Sequence, residues 1–437
     1  MTGWGLWSSG ASQAAPPAEA DKRDRNFFPV TDAFKQDELC GHLSKTDLNW
    51  TCPTRLSTET QTWYSVLTDG SFITSQIIYS PVGLFNPQVQ MTFKYFNPKT
   101  GKKVWKSKNV DSFTPLEQDR RSSKSNVFSV TFKDLSDGAQ SYDIHASFDS
   151  SVQLLYTMTR PAAVDGWKTG DGKYGGFSYF GEDRVDSAGY VVHRFWPRAM
   201  TSGLIVIDGQ AFDVAGQGMF VQAIQGMRPN LVASRWNFCN FQSAEFGGVS
   251  AILMELTTTC DYGDLRTEEN GGKRRVPQTA TYGSVVCGDK LVAVVAATRD
   301  AAPMAEPRHS QTAIDHEDLT FDESTGYRVP QKITYKWDGP AVSTSGRVDA
   351  ALTVELGAPQ QMQGLVDKVD VLAEIPYVVR KLVNYVAGTK PYIYQTLHPA
   401  ELTLSLPEEV QKQVAPEASG PLSVKGTLFE EHTFISE

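Results

Sequence analysis

The sequence predicts an all-β fold: two antiparallel β-barrels in tandem, with a short amphipathic helix in the C-terminal half. Three observations carry that expectation. Short runs of alternating apolar and polar residues recur along the chain, punctuated by glycine-bearing turns. At 437 residues the chain is too long for one ordinary hydrophobic core. The strand pattern also begins twice, on either side of a central stretch from Phe195 to Ser243 that reads as the seam between two barrels.

The first ten residues, MTGWGLWSSG, crowd Met1, Trp4, Leu6 and Trp7 into a small-residue segment. As a helix it would gather Met1, Trp4, Trp7 and Ala11 on one face, and tryptophan favours the lipid interface. Gly3, Gly5 and Gly10 oppose helix formation. Membrane docking through Trp4, Leu6 and Trp7, a disordered tail, and a plug docked on a barrel all remain open. Residues 11–26, rich in Ala and Pro and then in charge, read as a linker.

From Trp63 the β pattern takes over. Asp69-Gly70 is a hairpin turn between two apolar runs, and Val89, Met91, Phe93 and Tyr95 alternate. Further strands follow at 126–135, 142–148 and 152–160, while the glycine-rich 168–183 is expected as a long loop or bulged strand. In the seam, Leu204, Val206, Phe212 and Val214 alternate about an Asp208-Gly209 turn. Gly216 and Gly218 allow the backbone to bend or to approach a neighbour closely. Trp236, Phe238 and Phe241 among Arg235, Asn237, Asn240 and Gln242 suggest a strand with one apolar and one polar face.

The pattern restarts at 250–259, 284–298, 327–337 and 347–357, then breaks at 370–388. There Leu372, Ile375, Val379, Leu382 and Val386 fall at helical spacing, with Gly388 as a stop. That helix either crosses a barrel mouth or merely closes a barrel's end. Strand-like alternation returns after it. The expected division is 1–44 as a mobile N-terminal segment, 45–226 as the first barrel unit and 227–437 as the second.

Composition narrows the function. A formal net charge of −9 argues against nucleic acid as a partner. Five scattered cysteines without a CxxC indicate neither a disulfide framework nor a zinc site, and point to a reducing compartment. No run reaches the length of a spanning helix, and the N-terminus lacks a signal-peptide pattern. The seven histidines show no metal-ligand spacing and read as isolated loop residues; Glu430-Glu431 and Glu268-Glu269 read as solvated surface. No phosphate loop, dinucleotide fingerprint or nucleophile elbow is present. Neither a catalytic constellation, a metal site nor a cofactor is expected.

What remains is aromatic: nine Trp, sixteen Tyr and twenty-two Phe. Barrels of about eight strands can enclose a small apolar ligand, although aromatic residues on strands often form plain core. Trp196, Phe220, Trp236 and Phe238 cluster at the seam and are the candidate ligand-wall residues.

The segments FWPR, GQGMF, AIQGMRPN, SRWNFCNFQS and ILMELTT, with KVDVLAEIPYVVRKLVNYVAGTKPYIYQ further on, resemble the fungal survival factor 1 family from about Trp63 to Gln395. The resemblance implies tandem lipocalin-like barrels and ceramide or a related sphingolipid as ligand. It implies non-vesicular transfer between endoplasmic reticulum and Golgi, with a role in sphingolipid homeostasis and survival under oxidative stress. The expected location is cytoplasmic, peripheral on Golgi and endoplasmic reticulum membranes, with the nucleus as a further compartment. The family's N-terminal docking helix would correspond to the segment holding Trp4, Leu6 and Trp7. No ligand contact carries over residue by residue.

A carrier suits the physics, since ceramide's roughly thirty methylenes at about 0.8 kcal/mol each prohibit free escape into water. Two rivals stay open: an enzyme of tandem-lipocalin architecture acting on an apolar substrate, with Asp213, Glu255 or His193 as acid or base, and an interaction protein with solidly filled barrels. A carrier predicts a large apolar cavity, an enzyme a cavity with buried ionisable groups, and a scaffold no cavity.

Overall fold

The computed structural model describes residues 25–54, 56–81, 87–302, 305–374 and 390–436. Two antiparallel sheets dominate it, as the alternating pattern predicts, and each curls into a lipocalin-like barrel. The first is built from β1 (Thr58–Leu67), β2 (Phe72–Ser80), β3 (Gln88–Phe96), β4 (Lys103–Val110), β5 (Phe128–Asp134), β6 (Gln140–Ser147), β7 (Val152–Arg160), β8 (Gly189–Ile207) and β9 (Gly216–Gln225). The second comprises β10 (Arg235–Ser243), β11 (Val249–Thr257), β12 (Gln278–Cys287), β13 (Lys290–Asp300), β14 (Ala313–Glu317), β15 (Lys332–Pro340), β16 (Arg347–Glu355), β17 (Leu365–Asp370), β18 (Tyr392–Ser405) and β19 (Leu422–Phe434).

Both sheets follow one plan. Sequential strands pair as a meander, and the first strand pairs with the last, β1 with β9 and β10 with β19. The sequential pairing is broken between β4 and β5 and between β13 and β14, and β16 pairs with β18 rather than with β17, which lies off the main path beside β18. Local bonds span the gaps: the Asp111 N–H donates to Asn126 Oδ1 at 2.9 Å, and the Val342 N–H to the Val292 carbonyl at 2.9 Å.

The turns form as their residues dictate. Asp208 and Gly209 both take positive φ, 52° and 78°, in the two-residue loop after β8. Gly216 and Gly218 lie where β9 crosses β1 so closely that a Cβ would meet the Val66 carbonyl oxygen at 2.3 Å and that of Tyr64 at 1.8 Å. Only glycine fits there.

The FWPR stretch works through a bulge, since β8 and β9 lose register between Trp196 and Ala199. Trp196 and Ala199 both enter the first barrel's core, and Arg198 is left facing the second unit. Its guanidinium donates to Asp289 at 2.8 Å and to the Ser243 carbonyl at 3.1 Å. The barrels then meet through outward strand faces. Phe72 stacks on Phe429 with ring centroids 4.1 Å apart, and Tyr64 lies 5.2 Å from Phe238.

Several expectations are corrected here. β10 does not have one apolar and one polar face: Cys239 and Phe241 point into the second barrel, while Phe238 joins the core between the barrels. Within 1–44, residues 25–42 are packed. Phe27–Phe28 pairs with Phe177–Phe180, Cys40–His42 pairs with Trp167–Thr169, and Phe27, Val30 and Leu39 are buried. Residues 1–24, and with them Trp4, Leu6 and Trp7, lie outside the described residues. Of the helix expected over 370–388, Val371–Glu374 is helical, begun by Asp370 Oδ1 accepting the N–H groups of Leu372 and Ala373. Ile375, Val379, Leu382 and Val386 lie outside the described residues. Another short helix, Glu408–Val414, rests Val410 and Val414 on the second barrel's core. Among the described residues no helix is long and apolar enough to cross a membrane.

Candidate functional site

A cavity of about 340 Å³ lies between the two barrels, outside the interior of either. The period of two along each strand selects its walls. Thr60, Thr62 and Tyr64 face it from β1, and Val221, Ala223 and Gln225 from β9. Trp236 and Phe238 face it from β10, Met254 from β11, Ile393 from β18, and Glu431 and Thr433 from β19. Val371, Leu372 and Pro391 line it beside the start of the short helix, and Gln76, His193, Asn230 and Ile435 complete the wall.

Among the described residues, the ionisable side chains on this wall are Tyr64, His193 and Glu431. Burial pushes each toward its uncharged form. His193 falls to about 3, its Nδ1 sharing a 2.6 Å hydrogen bond with the Tyr282 hydroxyl. Glu431 rises above the ordinary carboxylate value, and Tyr64 well above that of a phenol. Glu431 accepts from the Gln395 amide at 2.6 Å and the Tyr64 hydroxyl at 3.4 Å. Behind them Lys94, 1% exposed, donates to Gln395 Oε1 and pairs with Asp367 at 2.7 Å, tying the first unit to the second. The arrangement can take an apolar ligand and hydrogen-bond an uncharged head.

Of the four residues predicted as ligand wall, Trp236 and Phe238 line this cavity. Trp196 and Phe220 are elsewhere: both are completely buried inside the first barrel, 5.3 Å apart, in an aromatic cluster with Trp63, Tyr142 and Phe132. Phe220 misses the cavity because its neighbours Met219 and Val221 occupy the outward face of β9.

The acid–base candidates also separate. His193 is on the wall, and Asp213 is an exposed residue whose Oδ1 accepts the Ala215 N–H. Glu255 lies inside the second barrel, held by Asn237 at 2.8 Å, Thr281 at 2.7 Å and Arg299 at 3.3 Å.

Sequence reasoning missed Tyr64, Gln395 and Glu431. Glu430-Glu431 is not solvated surface: strand alternation sends Glu431 to the cavity and Glu430 into the second barrel, where it is fully buried. Nor are His398 and His432 loose loop residues. His398 and His432 approach the Glu430 carboxylate at 3.4 and 3.8 Å, and Thr396 and Tyr335 donate their hydroxyls to it. Burial opposes the charge on Glu430, but the hydrogen bonds and charges of the two histidines hold it well below the usual carboxylate range. Among the described residues no three His, Cys, Asp or Glu side chains are grouped to hold a metal ion.

Known proteins resemble this chain along nearly its full length. The Svf1 family model matches residues 5–436. Ceramide-binding protein svf1 of Aspergillus fumigatus is 32% identical over 411 residues, covering 90% of each chain. Ceramide-binding protein SVF1 of Yarrowia lipolytica is 31% identical over 437 residues, covering 98% of each. Among solved structures, kievitone hydratase from Nectria haematococca superposes with a TM-score of 0.44 and 11% identity, over 93% of this chain and 98% of that one. The match from residue 5 to residue 436 settles the family that the seam motifs resemble: the chain belongs to the fungal Svf1 family.

Proposed function

We propose that this protein binds ceramide or a related sphingolipid between its barrels and carries it, without vesicles, between endoplasmic reticulum and Golgi membranes. The observation that carries this reading is the chemistry of the cavity. Its apolar walls are interrupted by amide, hydroxyl and carboxyl groups that burial keeps toward their neutral forms. A ceramide head is likewise uncharged, with one amide and its hydroxyls to satisfy. The relatives' shared name, ceramide-binding protein, agrees with that chemistry. At roughly 30 Å³ for each water-sized group, the described walls hold the head and the first part of the chains; the rest extends beyond them.

On this reading residues 45–226 and 227–437 are the two lipid-clasping units. Trp4, Leu6 and Trp7 within 1–44 dock reversibly on the membrane surface, and the protein works from the cytoplasm, peripherally on Golgi and endoplasmic reticulum and with access to the nucleus. Sphingolipid homeostasis and survival under oxidative stress follow from the transfer. A second reading, an enzyme acting on an apolar substrate, has one observation in its favour: burial raises the Glu431 carboxyl, as a general acid needs.

Lipid mass spectrometry on the purified protein tests the carrier. Stoichiometric ceramide is expected, lost when Trp236 and Phe238 are both replaced by Ala and retained in Trp196→Ala protein. Replacing Trp4 and Trp7 by Ala is expected to abolish liposome binding while leaving ceramide in place. Absence of co-purified lipid, with no uptake of added ceramide, would overturn the carrier, and conversion of an added polyene would favour the enzyme.

A further inference from the structure

We infer that the cavity between the barrels also accepts a protonated long-chain primary amine, seated with its ammonium on the Glu431 carboxylate and its single chain along the apolar wall. This rests on the cavity being a lipid site.

The first reason is the incomplete coordination of Glu431. Two neutral donors reach it, the Gln395 amide and the Tyr64 hydroxyl. Among the described residues no lysine, arginine or histidine lies within the 4.0 Å of an ion pair. Lys94 commits its ammonium to Asp367 and to Gln395 Oε1 instead. The adjacent Glu430 shows what this strand does when a carboxylate is meant to be satisfied from within, since two hydroxyls and two imidazoles surround it. Glu431, the next residue on the strand, is only partly buried and faces the cavity.

The second reason is the sign of the wall. It carries a carboxyl and, among the described residues, no lysine or arginine. A phosphorylated head would find no cation on the wall itself, since the Lys94 ammonium lies behind Gln395 and is held by Asp367, whereas an ammonium would pair with the Glu431 carboxylate. The Trp236 ring on the same wall adds a face that favours cations. Because burial disfavours the free carboxylate, an arriving ammonium relieves a cost already present in the empty site.

The third reason is size. About 340 Å³ accommodates a polar end and the first part of a single chain. Val221, Phe238 and Ile393 are among the apolar side chains of the same wall.

The test uses the full chain and three probes of equal length: dodecylamine, dodecanol and N-dodecylacetamide, titrated while Trp fluorescence is followed. The wild type is expected to bind the amine about tenfold more tightly than the alcohol or the amide, equivalent to about 1.4 kcal/mol. Glu431→Gln, which keeps the shape and removes the charge, is expected to bring that ratio to within about twofold of one. A wild type with no preference for the amine, or a preference that survives in Glu431→Gln, overturns the inference. The wild-type comparison decides the matter even if the variant fails to fold. If ceramide loads and the amine does not bind, the amine site is wrong and the lipid cavity stands; if neither binds, the lipid cavity itself is wrong.

Discussion

Where the first barrel places Trp63 and Phe220 on its first and last strands, the second places Asn237 and Glu430 on the corresponding pair. In the first, ring packs on ring: Tyr142 lies 4.8 Å from Phe220, 5.0 Å from Trp196 and 5.4 Å from Trp63. In the second, a polar chain runs from Glu430 through His432 and Asn237 to Glu255, Thr281 and Arg299. One strand order therefore accepts two kinds of filling. Apolar contacts are non-directional and individually replaceable, while each member of a buried network depends on its partners. Neither interior is the cavity, which uses the outward faces of the same strands.

Three measurements would sharpen or break that contrast. The largest effect is expected from Trp196→Ala, which removes a fully buried ring from the first barrel and should cost about 3–5 kcal/mol in chemical denaturation. A cost under about 1 kcal/mol would mean that the barrel is not packed through this ring. Next comes Tyr335→Phe, which deletes one hydroxyl and leaves Glu430 a donor short; about 1–3 kcal/mol is expected. A neutral outcome would show that the network does not depend on its members.

The smallest effect is a difference in pH response between the barrels. His193 and His316 are held by burial below their ordinary value, and Glu430 is held low by its histidines. All three give stability that is present above the unfolded-state value and lost as pH falls: from about 6.5 down toward about 3 for His193, and below about 4.5 for Glu430. In the first barrel, burial raises Glu59, so its protonation on acidification works in the opposite direction. Amide exchange at pH 4 against pH 7 should therefore loosen β14 and β19, which carry His316 and Glu430, before β1, which carries Glu59, while β8, which carries His193, loosens with the former although it belongs to the first barrel. The reverse order would sink the contrast.

Much of the fold was legible because strand alternation and turn chemistry are local. Asp208-Gly209 and the two glycines of GQGMF do what their types predict, and of the aromatic residues clustered at the seam Trp236 and Phe238 line the cavity between the barrels. Trp196 and Phe220 do not, because they pair with each other on the inward face of β8 and β9 while both faces of β9 are buried. Alternation tells inside from outside only when one face is wet. The same double burial disguised Glu430 and Glu431, whose charge reads as solvent in sequence. Their partners, Tyr335, Thr396, Gln395 and Tyr64, come from strands distant in the chain, and nothing local announces them.

The pairing of first strand with last has a kinetic consequence. Trp63 finds Phe220, and Phe238 finds Glu431, only after most of each unit has been laid down between them. Such closure is slow, because long-range loop entropy is lost before any contact repays it. The strands that close the barrels, β1, β9, β10 and β19, are also the ones that wall the cavity. A half-folded chain thus has no place for a lipid, and loading waits until both halves have been assembled and checked.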